Sequence, residues 1–255
     1  EYNKRKKGVM QVRTELVFVL KKPMISLDYR RMILSWLKRS LTECNQGKYY
    51  ERYFRLDAPQ KDYCFTVLMD SPKFTKEKIL LKEPRIRVIF SADDKNRSGL
   101  IFFAAFLAMK NKQFPLPDGN AMTLRNVIRR NEALIAESSV IFQTSLGNGL
   151  CIREHDRETN RDKFFTCEDP EFKKKTEEIL KIQARLAGYP ESMVQTIKFT
   201  PIQCKKVLVF FYGRYVDVTT GILQLEGEPE LLQYFYLSGA GSKHSAGFGQ
   251  LNILK

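Results

Sequence analysis

Two successive stretches of the chain switch between strand and helix periodicity in the same order. Val12 to Leu20 (VRTELVFVL) alternates apolar and polar residues with the period of two expected of a half-buried strand, and Pro23 ends it. From Asp28 to Glu43, Tyr29, Met32, Ile33, Trp36, Leu37 and Leu41 form one helical stripe, with Arg30, Arg31, Lys38 and Arg39 on the opposite side. A polar, aromatic-rich connection over residues 45–62 leads to strands at Tyr63–Met69 and Arg85–Ala92. A strongly apolar helix at Ser98–Met109, an Asp118-Gly119-Asn120 turn and a strand near Met122–Arg130 complete the stretch. The order β-α-β-β-α-β predicts a ferredoxin-like unit, with two helices covering one face of a four-stranded antiparallel sheet.

The second half reads the same way. A strand at Ser139–Thr144 precedes a polar excursion from Arg153 to Cys167, then a helix from Asp169 to about Ala187 whose Asp169-Pro170-Glu171 start supplies a cap and a first-turn proline. Strands follow near Thr196–Pro201, Lys206–Tyr212 and Tyr215–Gln224, the last two turning at Gly213-Arg214. A short helix at Pro229–Leu237 and a strand at Gly247–Leu254 close the chain. The expected fold class is therefore α+β, with two tandem ferredoxin-like (RRM-like) βαββαβ domains and a C-terminal glycine-rich loop. The boundaries expected are a basic start over 1–9 outside the fold, with Met10 as the natural initiator, a domain over 10–131 and a domain over 132–255.

Charge narrows the function. The chain has 255 residues with 43 Lys and Arg against 29 Asp and Glu, a formal net charge of +14. Such an excess argues for a polyanionic partner, because cations that neutralise phosphates release condensed counterions. No apolar run approaches the roughly 20 residues needed to span a bilayer, and no secretory signal is legible, so the expectation is a cytoplasmic protein without a membrane partner. Cys44, Cys64, Cys151, Cys167 and Cys204 stand far apart and only two histidines occur, so neither a metal site nor any cofactor is expected.

One segment stands apart, Gly239-Ala240-Gly241-Ser242-Lys243-His244-Ser245-Ala246-Gly247-Phe248-Gly249. Its glycines let backbone N–H groups approach an anion closely, with Lys243 and His244 placed among them. It matches neither the Walker pattern nor a dinucleotide fingerprint, since it joins a last helix to a last strand. This G-x-G-x-x-x-x-x-G-F-G loop resembles that of the CRISPR-associated repeat-processing endoribonucleases, the Cas six family of the repeat-associated mysterious protein (RAMP) superfamily. Gly227-Glu228-Pro229-Glu230-Leu231-Leu232, Val140-Ile141-Phe142-Gln143-Thr144, and Arg153-Glu154-His155-Asp156-Arg157-Glu158-Thr159-Asn160 are similar to family segments in the same order. So are the first strand, the Tyr29-Arg30 helix start and Phe65-Thr66-Val67.

The resemblance implies a partner and a chemistry. The partner is CRISPR repeat RNA and its processed product, with subunits of a CRISPR effector complex as a further class, the chain acting as a monomer or homodimer. The chemistry is metal-independent attack of a 2′-hydroxyl on the adjacent phosphodiester, giving 2′,3′-cyclic phosphate and 5′-hydroxyl ends. RNA contacts fall to Gly239, Gly241, Ser242, Lys243, His244, Ser245, Gly247, Phe248 and Gly249, and to Arg153, His155 and Arg157 in the charged excursion. Many family members carry a general-base histidine in or just after the first helix, whereas no histidine occurs between Leu27 and Met69 here. Two readings follow. Either Lys48, Tyr49, Tyr50, Arg52 and Lys61 carry catalysis, or the chain binds RNA without cutting it.

Overall fold

The computed structural model describes residues 12–55, 61–93 and 95–254. The expected basic start over 1–9 and the proposed initiator Met10 lie outside the described residues. The chain divides into two compact units, one reaching Tyr63 and continuing over Val67–Glu132, the other comprising Cys64–Thr66 and Ala133 onward.

The first unit runs β1 (Val12–Leu20), β2 (Met24–Ser26), α1 (Tyr29–Glu43), α2 (Lys48–Phe54), β3 (Tyr63–Met69), β4 (Lys73–Phe74) and β5 (Lys78–Leu80). It continues with β6 (Arg85–Ala92), α3 (Ser98–Met109), β7 (Gln113–Pro115) and β8 (Ala121–Arg130). The main sheet has the order β3-β6-β1-β8-β7, with β2-β5-β4 forming a small separate sheet. Strand alternation sets its register: Leu16 lies opposite Val88 and Val127, and Leu16, Phe18 and Leu20 are all buried. The core is aromatic. Trp36 of α1 meets Phe18 edge-on at 4.9 Å and stacks on Phe106 of α3 at 5.6 Å, and Phe90, Phe102 and Tyr63 extend the cluster.

Helix α2 occupies part of what the sequence presents as a connection. Seven residues are too few to show a helical period, and its N-cap is Gly47 at φ 78° with no side-chain capping bond. Packing holds it instead. Tyr53 is buried with its hydroxyl 2.6 Å from Ser98 Oγ, and Tyr50 stacks on Phe54 four residues later at 5.4 Å.

The second unit runs β9 (Ser139–Thr144), β10 (Ile152–Asp156), β11 (Arg161–Phe165), α4 (Phe172–Leu186), α5 (Glu191–Val194), β12 (Lys198–Phe211), β13 (Arg214–Glu226), α6 (Pro229–Ser238) and β14 (Leu251–Ile253). Its sheet order is β12-β13-β9-β14. Phe142, Phe165, Phe172, Leu180, Phe199, Leu231, Phe235 and Leu251 form the centre of its core. Each unit thus carries the ferredoxin-like arrangement, and the chain is an α+β protein with two of them in tandem.

Local structure departs from the sequence pattern at further places in the second unit. The excursion from Arg153 to Cys167 contains an antiparallel hairpin, β10 with β11. The two strands expected over 196–212 are one strand, β12, with a register shift between Pro201 and Gln203; β12 is an edge strand, where a proline breaks no ladder on its outer side. Helix α4 starts at Phe172, because the Asp169 carboxylate accepts from the Thr166 backbone N–H at 2.7 Å and closes a turn ahead of it. The last strand begins at Leu251, the preceding residues belonging to the glycine loop.

Trp36 is the single tryptophan of the chain, so its fluorescence reports the first unit alone. Phe106→Ala should lower that unit's stability by about 3–5 kcal/mol, the usual cost of truncating a fully buried Phe. Urea unfolding followed by tryptophan emission checks this, the midpoint falling in the variant.

Candidate nucleic-acid interface

The glycine-rich loop leaves α6 at Ser238 and is folded onto its own unit. The Gln183 side-chain amide of α4 closes its first turn. Nε2 donates to Gly239 O at 2.8 Å and Oε1 accepts from Gly241 N–H at 2.9 Å. Ala240 N–H donates to Gly249 O, Ser242 N–H to Cys151 O, and Gly249 N–H to Gly149 O, each at 2.8 Å. Asn148 pins the other end, its Oδ1 accepting from Gly149 N–H and Gln250 N–H while Nδ2 donates to Gly247 O at 3.0 Å. Two glycines are needed for this fold-back. A Cβ on Gly249 (φ +64°) would lie 1.9 Å from Ala240 O, and one on Gly241 (φ +85°) would lie 2.8 Å from Cys151 O.

This geometry corrects the reading of the loop as an open backbone cradle. The N–H groups of Ala240, Gly241, Ser242, Gly247 and Gly249 already have acceptors inside the protein. Gly239, Gly241, His244, Gly247, Phe248 and Gly249 are buried, and the Phe248 ring meets Phe211 edge-on at 5.2 Å, so it offers no face to a base. Ser242, Lys243 and Ser245 remain half-buried and reach solvent. The loop is a rigid support that displays Lys243.

Around Lys243 the second unit gathers cations on one carboxylate. Asp162 of β11, its side chain 8% exposed, accepts from Arg153 Nη1 at 2.9 Å, His155 Nδ1 at 2.8 Å and Arg214 Nη2 at 2.7 Å. Burial pushes the Asp162 carboxyl up, but the hydrogen bond from His155, the charge of Arg153, the hydrogen bond from Arg214 and the charge of Lys243 outweigh it and hold the group below the ordinary aspartate range. The Lys243 ammonium lies 5.7 Å from the Phe211 ring centre, and burial, then the charge of Arg153, lowers its pKa. Arg153, His155 and Lys243 are thus brought together, whereas Arg157 stands exposed at the β10–β11 turn. Sequence reading missed Asp162 and Arg214. Arg214 follows Gly213 and reads only as turn chemistry, and Asp162 is one acid in a run of mixed charge.

The first unit holds a second basic and aromatic group. Lys48 and Arg52 are exposed on α2, and Arg52 Nη2 donates to Asn96 O at 2.6 Å. Tyr49 and Tyr50 are half-buried. Lys61 and Lys38 both sit over the Phe54 ring, at 4.8 and 5.1 Å from its centre. Burial, reinforced by the like charge of Lys38, lowers the Lys61 pKa. Beside it, burial raises the Asp62 carboxyl against the hydrogen bonds of Ser98 and Asn96. Lys38 was hidden because it reads as one of several cations on the solvent side of α1. Among the described residues no three His, Cys, Asp or Glu side chains converge as a metal site.

Residues 130–253 match the family of the CRISPR associated protein Cas6, C-terminal. That stretch, a little under half of the chain, is similar to the C-terminal domain of the Cas6 family. Solved structures of similar fold include a RAMP protein binding different RNA substrates, with TM-score 0.77 at 14% identity over 96% of this chain and 100% of that one. A Cas6-related protein from Pyrococcus furiosus reaches TM-score 0.78 at 15% identity over 96% and 99%. A CRISPR associated protein Cas6 reaches 0.72 at 14% identity over 96% and 100%. At these identities the likeness is one of fold. No curated protein matches the sequence. Among the described residues no helix is long and apolar enough to cross a membrane.

Within the segment similar to the Cas6 C-terminal domain, a depressed Asp162 pKa has a definite pH signature. The stabilisation from Asp162 is fully present above the ordinary aspartate value of 3.8 and is lost as pH falls through its lower native value. Thermal unfolding of Asp162→Asn against the unsubstituted chain should therefore show a midpoint difference that is full at neutral pH and closes in strong acid. A difference independent of pH would contradict the charge assignment.

Gly249→Ala should open the loop, because its methyl group would meet the Ala240 carbonyl. Amide hydrogen exchange should then show lost protection at Ala240 and Gly249.

Proposed function

We propose that the chain binds CRISPR repeat RNA and cuts it without a metal ion. The observation that carries this reading is the match of residues 130–253 to the Cas6 C-terminal domain, on a chain of net charge +14. In the reaction, the 2′-oxygen forms a bond to the adjacent phosphorus and the bond from phosphorus to the 5′-oxygen breaks. The 2′-hydroxyl proton leaves to a base and the 5′-oxygen takes up a proton. The ends are a 2′,3′-cyclic phosphate and a 5′-hydroxyl. An aligned intramolecular nucleophile removes much of the entropic cost, leaving proton transfer and phosphorane charge to the protein.

We assign proton transfer to Lys61. A lysine whose pKa is lowered by burial and by a neighbouring ammonium gives up its proton more readily than an ordinary one. Lys38, Lys48 and Arg52 supply positive charge, and Tyr49 and Tyr50 position the ribose. In the second unit Lys243, Arg153, His155 and Arg157 hold the RNA backbone. Ser242 and Ser245 add hydroxyl contacts, and the glycines with buried His244 and Phe248 keep the support rigid. The reading that the chain binds without cutting draws on the absence of histidine between Leu27 and Met69.

The deciding experiment incubates end-labelled repeat RNA with the protein in EDTA. Cleavage to a product ending in a cyclic phosphate is expected. RNA that is bound and stays whole would favour the binding-only reading.

Lys61→Ala should lower the single-turnover rate by ~10²–10⁴-fold, the usual contribution of one acid–base group, with little change in affinity. Lys38→Ala removes the like charge, so the Lys61 inflection in the rate–pH profile should move upward. An unmoved inflection would assign the proton transfer elsewhere.

A further inference from the structure

Beyond the bridge between Leu150 and Thr219, β12 and β13 continue as a two-stranded ribbon paired as far as Phe211 and Arg214. Its apex is the two-residue turn Tyr212-Gly213, with φ 51° and 77°. A turn with both central residues left-handed favours Asn-Gly, and a tyrosine there is sterically disfavoured. The ring is nevertheless displayed, with Tyr212 52% exposed and Tyr215 63% exposed. Tyr215 meets Phe210 edge-on across the ribbon at 5.3 Å, and Leu208 beside it is also exposed. Alternation along β13 puts Arg214 on the other face, where Arg153, His155, Arg214 and Lys243 gather about Asp162.

Exposed rings at an apex and an excess of cations on the adjoining face suit a single-stranded nucleic acid. Every unpaired base has a face to stack and every nucleotide a phosphate to neutralise. A protein partner would be served by the apolar patch without the surplus of positive charge beside it. We propose that the Tyr212–Tyr215 turn is a base-stacking tip for unpaired RNA. A base lies against the ring of Tyr215 or Tyr212, and Arg214 meets the phosphate of the same strand as it crosses the apex. The proposal shares with the proposed function only the premise that RNA is the ligand. It needs neither a CRISPR repeat nor cleavage.

The test uses the full chain and two RNA probes, a single-stranded oligonucleotide carrying 2-aminopurine and a duplex of equal charge. Tyr212→Gly removes one ring while suiting the left-handed turn, and Tyr215→Leu removes the other while keeping an apolar side chain; Tyr215→Phe retains a ring. Affinity of the Tyr212→Gly, Tyr215→Leu double variant for the single strand should fall about 5- to 160-fold, the range for losing a stacked base. Duplex affinity should stay unchanged, and 2-aminopurine quenching should be retained by Tyr215→Phe. An unchanged thermal midpoint keeps the result separate from misfolding. Equal losses on both probes, or no loss on either (as for a tip that serves a protein partner), would overturn the proposal. The cleavage assay in EDTA stands or falls independently.

Discussion

The side-chain amide of Gln183 bonds both ends of the turn that opens the glycine loop, and the second unit's cationic surface depends on it. By bonding Gly239 O and Gly241 N–H together, it fixes the exit of α6 and gives the next four residues one path. Leaving two buried backbone groups unpaired there would cost about 1–3 kcal/mol each. With the entry fixed by Gln183 and the exit by Asn148, Lys243 is held over Phe211 instead of swinging freely. The glycines of the loop follow from the same constraint, since at Gly241 and Gly249 a neighbouring carbonyl occupies the space a side chain would need.

Asp162 performs the equivalent task for the charged groups. Arg153 of β10 and Arg214 of β13 would repel one another without a carboxylate between them; the same carboxylate pairs with His155 and draws on Lys243 of the loop. The result is a set of cations held in place with more positive charge than the acid neutralises. In the first unit the arrangement is different in kind. Lys61 and Lys38 share the Phe54 ring, and burial together with the like charge of Lys38 penalises protonation of Lys61, which suits a group that must exchange a proton.

Much of the fold was legible because apolar periodicity is a direct record of burial. Leu16, Phe18 and Leu20 alternate because one sheet face is covered, and Ile33, Trp36, Leu37 and Leu41 recur helically because one stripe of α1 is. Elements without a buried face left no such record. The β10–β11 hairpin carries exposed Glu154, His155 and Asp156 in succession, so its strands have no apolar alternation to read. Helix α2 is too short for a period, and Pro201 interrupts a strand that survives because it lies at a sheet edge. The glycine run was legible as unusual, but its cause lay in contacts with Cys151 and Ala240 rather than in a ligand. Lys38 and Arg214 gained their place only from partners remote in sequence, Lys61 in one case and Asp162 in the other.

The glycine loop is a finished, internally bonded support that owes its shape to no ligand. Amide hydrogen exchange of the loop, measured residue by residue in the free protein and again with RNA bound, tests this most directly. Slow exchange at Gly241, Ser242 and Gly249 in the free protein, little altered by RNA, is the result predicted. Fast exchange in the free protein that becomes slow only when RNA is added would contradict the account and restore the loop as a backbone cradle for phosphate.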